Sequence, residues 1–384
     1  MKVVIAADSF KGSMSASEVS KNIEIGYKKI FKNAEIVRIP MADGGEGTVE
    51  TLVEATDGRY VYLNSTDPLG RKIQTCFGVI YEEIAVIEMA SASGLTLLSE
   101  DEFNPLITTT YGTGEILRAA LENGFKKIYV GLGGSATNDG GVGMAQALGY
   151  SFKDIDGKEI GFGGGELHKI QSIDTHNKHP LLDSAEITVI SDVTNKLCGP
   201  DGASYVYGPQ KGATREMVLE LDDKLSHLSS KINEILRNDV NSISGAGAAG
   251  GLGAGMIAFC NANVKPGVEV LLDLLDFEND IMDADLVITG EGKIDNQSKY
   301  GKVPVGVARK AKKFNKPVVA VVGSRGDDVC EVYDLGIDFI QDIITKPMTL
   351  SEAMNNAEML LINAGEDVGR LMKLRGFSDE NSSS

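Results

Sequence analysis

Cysteine and histidine are scarce in this sequence of 384 residues, and their positions exclude several kinds of site. Three of the four histidines lie in a polar segment around residues 165–180, so neither a histidine-based zinc site nor a Ser-His-Asp triad is expected. The cysteines form no close pair, which argues against a CxxC metal knuckle and a dense disulfide framework. We expect buried thiols of a cytosolic protein at Cys76, Cys198, Cys260 and Cys330.

Long apolar runs are also missing. No segment reaches the roughly 18 apolar residues that a membrane-spanning helix needs. The apolar start of the chain, MKVVIAADSF, is too short for a signal peptide. We therefore expect no membrane partner and a cytoplasmic location.

Positive charge is in deficit, with a net charge of −18 and a pI of about 4.7. Such a surface repels nucleic acids and anionic membranes, so any anionic substrate must be held by local cations. The 42% hydrophobic and 24% charged residues are those of a soluble globular protein with a sizeable core. At roughly 100–200 residues per domain, the length predicts two or three domains.

The run KKIYVGLGGSATNDGG at residues 126–141 combines a buried strand with a loop suited to an anion. Gly133 and Gly134 let the backbone approach a ligand closely. The polar side chains that follow can cap a helix near 140–148, whose amide-rich N-terminus attracts phosphate or carboxylate: Ser135, Thr137 and Asn138. A tight turn without a ligand is an equally open interpretation.

Strands alternate with helices at both ends of the chain, which is typical of a parallel sheet in an α/β protein. Between about 58 and 90 the pattern alternates with a period of two and lacks helices, which predicts antiparallel pairing. The simplest architecture is one α/β domain from residues 1–60 and 265–384, with a parallel sheet. A second α/β domain, 61–264, is inserted into it and has a mixed sheet.

Acidic residues recur directly after predicted strands: Asp8, Asp43, Asp139, Asp192 and Glu291, with Asp295 just beyond. If these loops converge, their carboxylates and the cations of Lys11 and Lys293 supply what phosphoryl transfer needs. For each acid alone, a role in a turn or cap is as good an explanation. No GK[ST] triplet occurs, so the chain is not a P-loop enzyme.

A second glycine-rich run, GAGAAGGLGAG at 245–255, formally satisfies the G-x-G-x-x-G pattern. The residues before it, SKINEILRNDVNSIS, do not form a convincing strand, so the dinucleotide fingerprint fails its context test. Close packing of a small-residue helix at 246–260, against a neighbour or a phosphate, explains the run better.

Six separated motifs carry a family resemblance: DSFKGSMSA, PMADGGEGT, GLGGSATNDGG, SDVTN, GAGAAGGLGAG and GEGKIDNQS, in that order. Together they resemble the bacterial class II glycerate kinases over almost the whole chain. The resemblance implies ATP-dependent phosphorylation of D-glycerate, usually to 2-phosphoglycerate. It also implies two α/β domains, one flavodoxin-like and one inserted.

Residue roles follow from phosphoryl-transfer chemistry, in which positioning and charge neutralisation dominate. The predicted catalytic residues are Asp192, as the base or hydroxyl-orienting acid, with Lys293 and Asp8. The predicted substrate-binding residues are Ser9, Lys11, Asp43 and Arg325, with Arg71 as the second choice for the substrate carboxylate. The predicted nucleotide-binding residues are Gly133, Gly134, Ser135, Thr137, Asn138, Asp139 and Glu291, and the predicted Mg²⁺ ligands are Asp43, Glu291 and Asp295.

Some alternatives stay open at this stage. A nicotinamide-dependent oxidoreductase using residues 245–255 and an acid-sensing protein without turnover are the rival functions. Transfer to the 3-hydroxyl and assembly as a homodimer are not excluded. We further expect the loops of the two domains to face each other across a cleft that closes on D-glycerate and ATP, since transfer must exclude water.

Overall fold

The computed structural model describes residues 1–42, 44–45, 47–295, 298, 302–326, 329–374 and 376. The chain divides into two compact units. The first unit consists of Met1–Asp43 and Pro266–Ser384, and the second unit is Gly44–Lys265. The second unit therefore lies between two parts of the first along the sequence.

The strands in the described part of the chain are β1 (Lys2–Ala7), β2 (Glu35–Arg38), β3 (Arg59–Thr66), β4 (Lys72–Ile80), β5 (Ile84–Glu88), β6 (Lys127–Gly131), β7 (Ser151–Lys153), β8 (Ser172–Asp174), β9 (Glu186–Ile190), β10 (Asn263–Lys265), β11 (Leu286–Ile294), β12 (Val318–Arg325) and β13 (Phe339–Asp342). The α-helices are α1 (Ala16–Lys28), α2 (Thr48–Ala55), α3 (Ala90–Ser93), α4 (Tyr111–Glu122), α5 (Val142–Ala147), α6 (Ala203–Tyr207), α7 (Arg215–Leu236), α8 (Ala248–Cys260), α9 (Gly267–Leu274), α10 (Phe277–Ile281), α11 (Val303–Lys313), α12 (Glu331–Asp334), α13 (Leu350–Asn355) and α14 (Ala357–Leu374).

The sheet of the first unit is parallel throughout, with the order β13-β12-β11-β1-β2. This is the strand order of a flavodoxin-like, doubly wound sheet, so the predicted fold class is confirmed. The strand order reverses between β1 and β11, where Ala7 lies beside Gly290. Ligands of such sheets bind outside the carboxyl ends of the strands at this switch point, so the loops after β1 and β11 are candidates for a binding site.

Helices cover the sheet of the first unit, and two of them pack unusually closely. A side chain at Gly26 of α1 would collide with the carbonyl oxygen of Ile362 in α14, and one at Gly365 would collide with that of Ile23. Glycine lets the two backbones touch. Ser15 is the N-cap of helix α1, and its hydroxyl accepts a hydrogen bond from Glu18 N in a reciprocal capping box. Within the described part of the chain, no helix has the length and apolarity to cross a membrane.

The sheet of the second unit has the order β10-β9-β6-β5-β4-β3. Strands β3, β4 and β5 pair antiparallel, whereas β5, β6, β9 and β10 run parallel. The sheet is therefore mixed, as predicted. The second unit also contains a small antiparallel pair, β7 with β8.

The predicted boundary at residue 60 needs a correction, because the structure places residues 44–60 in the second unit. Helix α2 packs on β4 so closely that a side chain at Gly78 would lie 2.7 Å from Val53 Cγ2. Strand β3 begins at Arg59 and pairs with β4 along its length. Helix α2 and strand β3 thus pack with the mixed sheet.

The four cysteines are free thiols. Burial raises the pKa of the Cys198 and Cys260 thiols to about 12, so neither is a thiolate at neutral pH. Cys330 is exposed. The prediction that the cysteines are buried holds for Cys260, whereas Cys76 and Cys198 are half-buried. It is wrong for Cys330, which precedes the short surface helix α12.

Candidate functional site

A cavity of about 550 Å³ opens at the carboxyl ends of the strands in the first unit. Its polar side comes from the switch point and the neighbouring start of α11: Asp8, Ser9, Lys11, Glu291, Lys293 and Lys302. Its apolar wall comes from the end of β13 and from helices α13 and α14: Ile343, Ile344, Leu350, Ala353, Met354 and Ala357. The cavity size is typical of sites for small ligands, roughly 300–1,000 Å³.

The loop after β1 presents the first polar groups of the cavity. Asp8 N donates to Gly290 O at 2.9 Å, which extends the pairing of β1 with β11 by one residue. The Asp8 carboxylate accepts from Ser9 N at 2.6 Å. Phe10 and Met14 then pair through their backbones at 2.9 and 3.0 Å and close the loop. The structure thereby brings the predicted residues Asp8, Ser9 and Lys11 together.

Glu291 is a buried carboxylate in the cavity, with 6% of its surface exposed. It accepts a 2.6 Å hydrogen bond from Ser298 Oγ, and Lys302 Nζ lies 3.5 Å from its other oxygen. Burial raises the pKa of Glu291, whereas Ser298 and Lys302 act in the opposite direction. The hydrogen bond from Ser298 and the cation of Lys302 therefore both favour the ionised form of Glu291.

Lysine side chains give the polar side of the cavity its positive charge. Lys293 is 61% exposed and lies 3.3 Å from the Asp295 carboxylate. Lys302 is 38% exposed beside Glu291. In a chain of net charge −18, three lysines lining one cavity form a local site for anionic oxygens.

The described residues of the cavity offer carboxylates for Mg²⁺ but not a full set of protein ligands. Within the described residues, no three His, Cys, Asp or Glu side chains lie close enough together to hold a metal ion. Magnesium commonly binds through one or two carboxylates together with substrate phosphates. Glu291 and Asp295 could supply these carboxylates, each with a lysine at its side. Asp43, the remaining predicted ligand, lies outside the described residues.

The two arginines predicted to bind the substrate carboxylate are engaged in ion pairs. Arg325, at the end of β12, contacts Asp342 at 2.7 and 3.0 Å and donates to Ile340 O at 2.6 Å. Arg71 lies in the second unit and contacts both Asp67 and Glu102 at 2.5 Å. Neither is among the residues that line the cavity. These bonds give both arginines a structural role, and binding of substrate by either stays a prediction.

The mixed sheet of the second unit brings the other predicted residues to one edge. The last residues of β5, β6 and β9 lie level, with Glu88 beside Gly131 and Gly131 beside Ile190. The loops that follow β6 and β9 therefore start side by side, and Leu132 N donates to Ile190 O at 3.3 Å. Asp192 stands two residues beyond β9 and is half-buried.

Backbone packing accounts for glycines in the loop after β6. A side chain at Gly131 would lie 2.6 Å from Gly44 O, and one at Gly133 would collide with Gly45 Cα. Gly134 has a φ of +74°, a conformation that favours glycine. At Gly131 and Gly133, therefore, a neighbouring segment of the chain occupies the space that the sequence suggested for a ligand.

Asp139 is fully buried and binds the surrounding backbone. Its carboxylate accepts from Thr110 N at 2.8 Å and from Thr110 Oγ1 at 2.9 Å. It also accepts from Gly141 N at 3.1 Å and Gly143 N at 3.3 Å. Burial raises the pKa of Asp139, and these hydrogen bonds act in the opposite direction. Asp139 joins the start of α4 to the start of α5, a structural role.

Lys211 is a buried cation that the sequence analysis missed. Its ammonium donates to Ser135 Oγ at 2.6 Å and to Thr137 O at 2.7 Å. Burial lowers its pKa to about 7, and the charge of Asp139 acts in the opposite direction. Its surroundings in the sequence, GPQKGAT, read as an ordinary surface turn. No local pattern could have revealed it, because its partners lie more than 70 residues earlier in the chain.

The side chains of Thr137 and Asn138, beside the partners of Lys211, are also buried. Asn138 Nδ2 donates to Ser204 Oγ at 3.0 Å. Thr137 Oγ1 and Asn138 Oδ1 have no hydrogen-bond partner within the described residues. Residues 135–139 are thus enclosed by protein, and all three of the predicted polar contacts, Ser135, Thr137 and Asn138, are buried.

The second glycine-rich run packs against this same loop. Gly140 N donates to Gly250 O at 3.1 Å, and a side chain at Gly255 would lie 2.6 Å from Gly140 O. Helix α8 is preceded by a short 3-10 helix at Val240–Ser242, not by a strand. The glycines of 245–255 therefore serve close backbone packing, and the context of a dinucleotide fingerprint is missing.

A flavodoxin-like sheet with lysines and carboxylates around a switch-point cavity has the components of a phosphoryl-transfer enzyme. Comparison with known proteins supports this class. The model of the glycerate kinase family matches residues 3–373. The chain belongs to the glycerate kinase family and is a kinase, which confirms the resemblance carried by its six motifs.

Individual relatives agree over their whole lengths. The chain is 48% identical to the glycerate 2-kinase of Escherichia coli K12, with 97% of this chain and 98% of the relative covered. It is 46% identical to the glycerate kinase of Bacillus subtilis 168, with the same shares covered. A crystal structure of a Salmonella typhimurium LT2 protein assigned as glycerate kinase 2 superposes with a TM-score of 0.89. That protein is 45% identical, and 98% of this chain and 99% of that chain are covered.

Proposed function

We propose that the protein transfers the γ-phosphoryl group of ATP to D-glycerate, with 2-phosphoglycerate as the product. Family membership and the relatives named glycerate kinase support the reaction. The relative named glycerate 2-kinase supports the 2-hydroxyl as acceptor over the 3-hydroxyl. The structural observation that carries the proposal is the lysine-lined cavity at the switch point of the first sheet.

We assign the donor phosphates to the polar side of this cavity. Lys293 and Lys302 provide cations for the phosphate oxygens, whose charge they neutralise as the bond to the leaving group breaks. Lys11 and Ser9 are proposed for the carboxylate and hydroxyl groups of glycerate. We prefer this cavity to the 133–139 loop for phosphates, because in that loop Ser135, Thr137 and Asp139 are buried, and the side chains of Ser135 and Asp139 are hydrogen-bonded to protein.

Asp192 is the proposed base that accepts the proton of the attacking hydroxyl, and Asp8 is proposed to orient the reacting groups. Glu291 and Asp295 are the described residues that would hold Mg²⁺, which when bound to ATP supplies charge neutralisation at the phosphates. The cleft between domains, the cytoplasmic location and the oligomeric state stay predictions.

An assay of ADP release with D-glycerate as acceptor tests the reaction. We expect release that depends on both ATP and D-glycerate and that is absent with L-glycerate. Phosphorus NMR of the product then distinguishes 2-phosphoglycerate from 3-phosphoglycerate. Folded protein that releases no ADP would contradict the kinase proposal, and 3-phosphoglycerate as the product would correct the position.

A further inference from the structure

The cavity of the first unit has a chemical character that glycerate alone does not explain. Glycerate is a small acid with two hydroxyl groups and can use only the polar side. The apolar wall consists of Ile, Leu, Ala and Met side chains and extends from the end of β13 along α13 to the start of α14. A ligand that uses the whole cavity must join anionic groups to an apolar body.

Two side chains of the apolar wall are exposed to an unusual degree. Leu350 is 77% exposed and Met354 is 37% exposed. They stand four residues apart on α13 and therefore share one face of the helix. Both line the cavity. Apolar surface held in water at the mouth of a polar site is typical of a binding surface.

The apolar wall is tied to the polar side of the cavity. Ser13 Oγ, in the loop that carries Ser9 and Lys11, donates to Met354 O at 3.3 Å. Gly12, in the same loop, has a φ of +76°, and a side chain there would lie 3.2 Å from Met354 Cε. The wall and the loop that carries Lys11 thus contact each other directly. One ligand can touch both.

We propose that the apolar wall binds the nucleobase and ribose of the phosphate donor, with the phosphates directed toward Lys293 and Lys302. This inference rests on the proposed kinase function and locates the donor within it. The aromatic base packs against Leu350 and Met354, whose flexible thioether adapts to a ring face. No side chain of the wall offers a nitrogen or oxygen atom to the base, so packing provides the affinity of this part of the ligand.

Direct binding measurements on the full chain separate the two sides of the cavity. The test variant is Leu350→Gln with Met354→Gln, which keeps the side chains similar in size and adds no charge. Isothermal titration calorimetry is carried out with ADP, which needs both sides, and with inorganic tripolyphosphate, which can use only the lysines. Met359→Gln is the matched control, since Met359 is a 58% exposed methionine on α14 that is not among the lining residues.

We expect the double variant to bind ADP about tenfold more weakly, the usual scale for lost apolar contacts in a binding pocket. Tripolyphosphate affinity should stay within twofold of wild type, and Met359→Gln should change neither. In the kinase assay, the KM for ATP should rise while kcat and the KM for D-glycerate stay the same. A variant of Lys293, Lys293→Gln, should weaken ADP and tripolyphosphate alike.

Several results would overturn the inference. Unchanged ADP affinity in the double variant would show that the apolar wall does not bind the nucleotide. Equal losses of affinity for ADP and tripolyphosphate would show that the substitutions disturb the structure of the whole cavity instead of removing a contact with the base. A raised KM for D-glycerate alone would assign the wall to the acceptor. A change in sedimentation coefficient in the double variant would mean that a second copy of the chain covers the wall.

Failure of this inference can be told from failure of the proposed function. Wild-type protein that binds ADP through the wall but does not phosphorylate D-glycerate would keep the nucleotide site and reject the acceptor. Wild-type protein that phosphorylates D-glycerate with an unaffected double variant would keep the reaction and reject this location of the nucleotide.

Discussion

The cavity of the first unit and the glycine-rich loop of the second unit carry similar residue types but use them differently. In the cavity, Lys293 is largely exposed and Lys302 partly so, each beside one carboxylate. In the loop, Lys211 and Asp139 are fully buried, and their hydrogen bonds go to the surrounding protein. Charged groups that face a cavity are hydrated, and a ligand can replace the water that binds them. Buried charged groups that are hydrogen-bonded to the protein mainly stabilise the fold.

Glycine also serves different purposes in a ligand loop and in a packed loop. Gly131 and Gly133 leave room for the backbone of residues 44–45, and Gly140 and Gly255 let two segments of the second unit touch. A glycine-rich pattern followed by polar residues is therefore ambiguous. Whether the space beside the glycines holds a ligand or another part of the chain depends on the tertiary structure.

The largest effect should come from Asp139→Asn, which tests whether the loop is structural. The substitution replaces a buried acceptor by an amide that must place donor hydrogens among the N–H groups of Thr110, Gly141 and Gly143. It also removes the negative charge of Asp139, which favours the ammonium form of the buried Lys211. We expect a loss of about 3–5 kcal/mol in the free energy of unfolding, measured with urea.

Asp156→Asn is the control for this measurement, because Asp156 is an exposed aspartate of the same unit. It should change the free energy of unfolding by less than about 0.5 kcal/mol. If the Asp139→Asn protein is as stable as wild type but no longer binds nucleotide, the glycine-rich loop of the second unit is a ligand site and not a structural element.

The next effect is expected from Asp192→Asn, which keeps the shape of the side chain and removes its ability to accept a proton. We expect kcat to fall at least ~100-fold, the usual scale for a general base. The melting temperature should stay near that of wild type, since Asp192 is only half-buried. A kcat within a few-fold of wild type would remove Asp192 from the mechanism, and a large loss of stability would give it a structural role.

Lys293→Gln tests whether the cavity of the first unit binds the phosphates of ATP. We expect kcat/KM for ATP to fall about tenfold to 100-fold, because a charge-assisted contact to phosphate is lost. Stability should hardly change, since the side chain is 61% exposed. Lys127→Gln is the matched control: Lys127 is a 53% exposed lysine of the second unit. Equal effects of the two substitutions on kinetics would show that only overall charge matters.

The smallest effect concerns the pH dependence of stability and involves Lys211. Burial lowers the pKa of Lys211 to about 7, whereas the ordinary value of 10.5 applies when the chain is unfolded. Between these values the unfolded chain binds more protons, so the contribution of Lys211 makes folding more favourable as pH rises. Urea unfolding should show a gain of about 2 kcal/mol from pH 7 to pH 9 in wild type relative to Lys211→Met.

The difference between the two proteins is the measured quantity, because other groups titrate in both. Parallel curves for wild type and Lys211→Met would show that Lys211 keeps an ordinary pKa in the folded protein. A gain toward lower pH instead would require that the ammonium form is stabilised by its surroundings more strongly than burial destabilises it.

The sequence was sufficient for the elements whose causes are local. The alternation of strands and helices at both ends of the chain predicted the parallel sheet of the first unit. The period of two near 58–90 predicted the antiparallel strands in the sheet of the second unit. The Ser15 cap of α1 follows from a serine with a glutamate three residues later. Near the C-terminus, α13 and α14 are separate helices, because the chain turns at Asn356 between them.

The sequence also predicted the acid and lysine that follow β1, and it singled out Glu291 and Lys293, which the structure places in the last residues of β11 instead of in a loop after it. Parallel strands end at the same edge of a sheet, which brings these residues to one side. The sequence could not show that Asp8, Ser9, Lys11, Glu291 and Lys293 line one cavity while Arg325 is held by Asp342. These side chains come from segments more than 250 residues apart. Only the strand order, which places β1 beside β11, brings them together.

The local sequence determined which segments become strands, helices and polar loops, since hydrophobic period and capping act over a few residues. The tertiary structure decided which polar loops face a cavity and which are buried. Lys211 and Asp139 are both buried inside the second unit, where their hydrogen bonds join segments that are distant in the sequence. Burial is a property of the whole fold, so the division between ligand-binding and structural charges appears only in the folded chain.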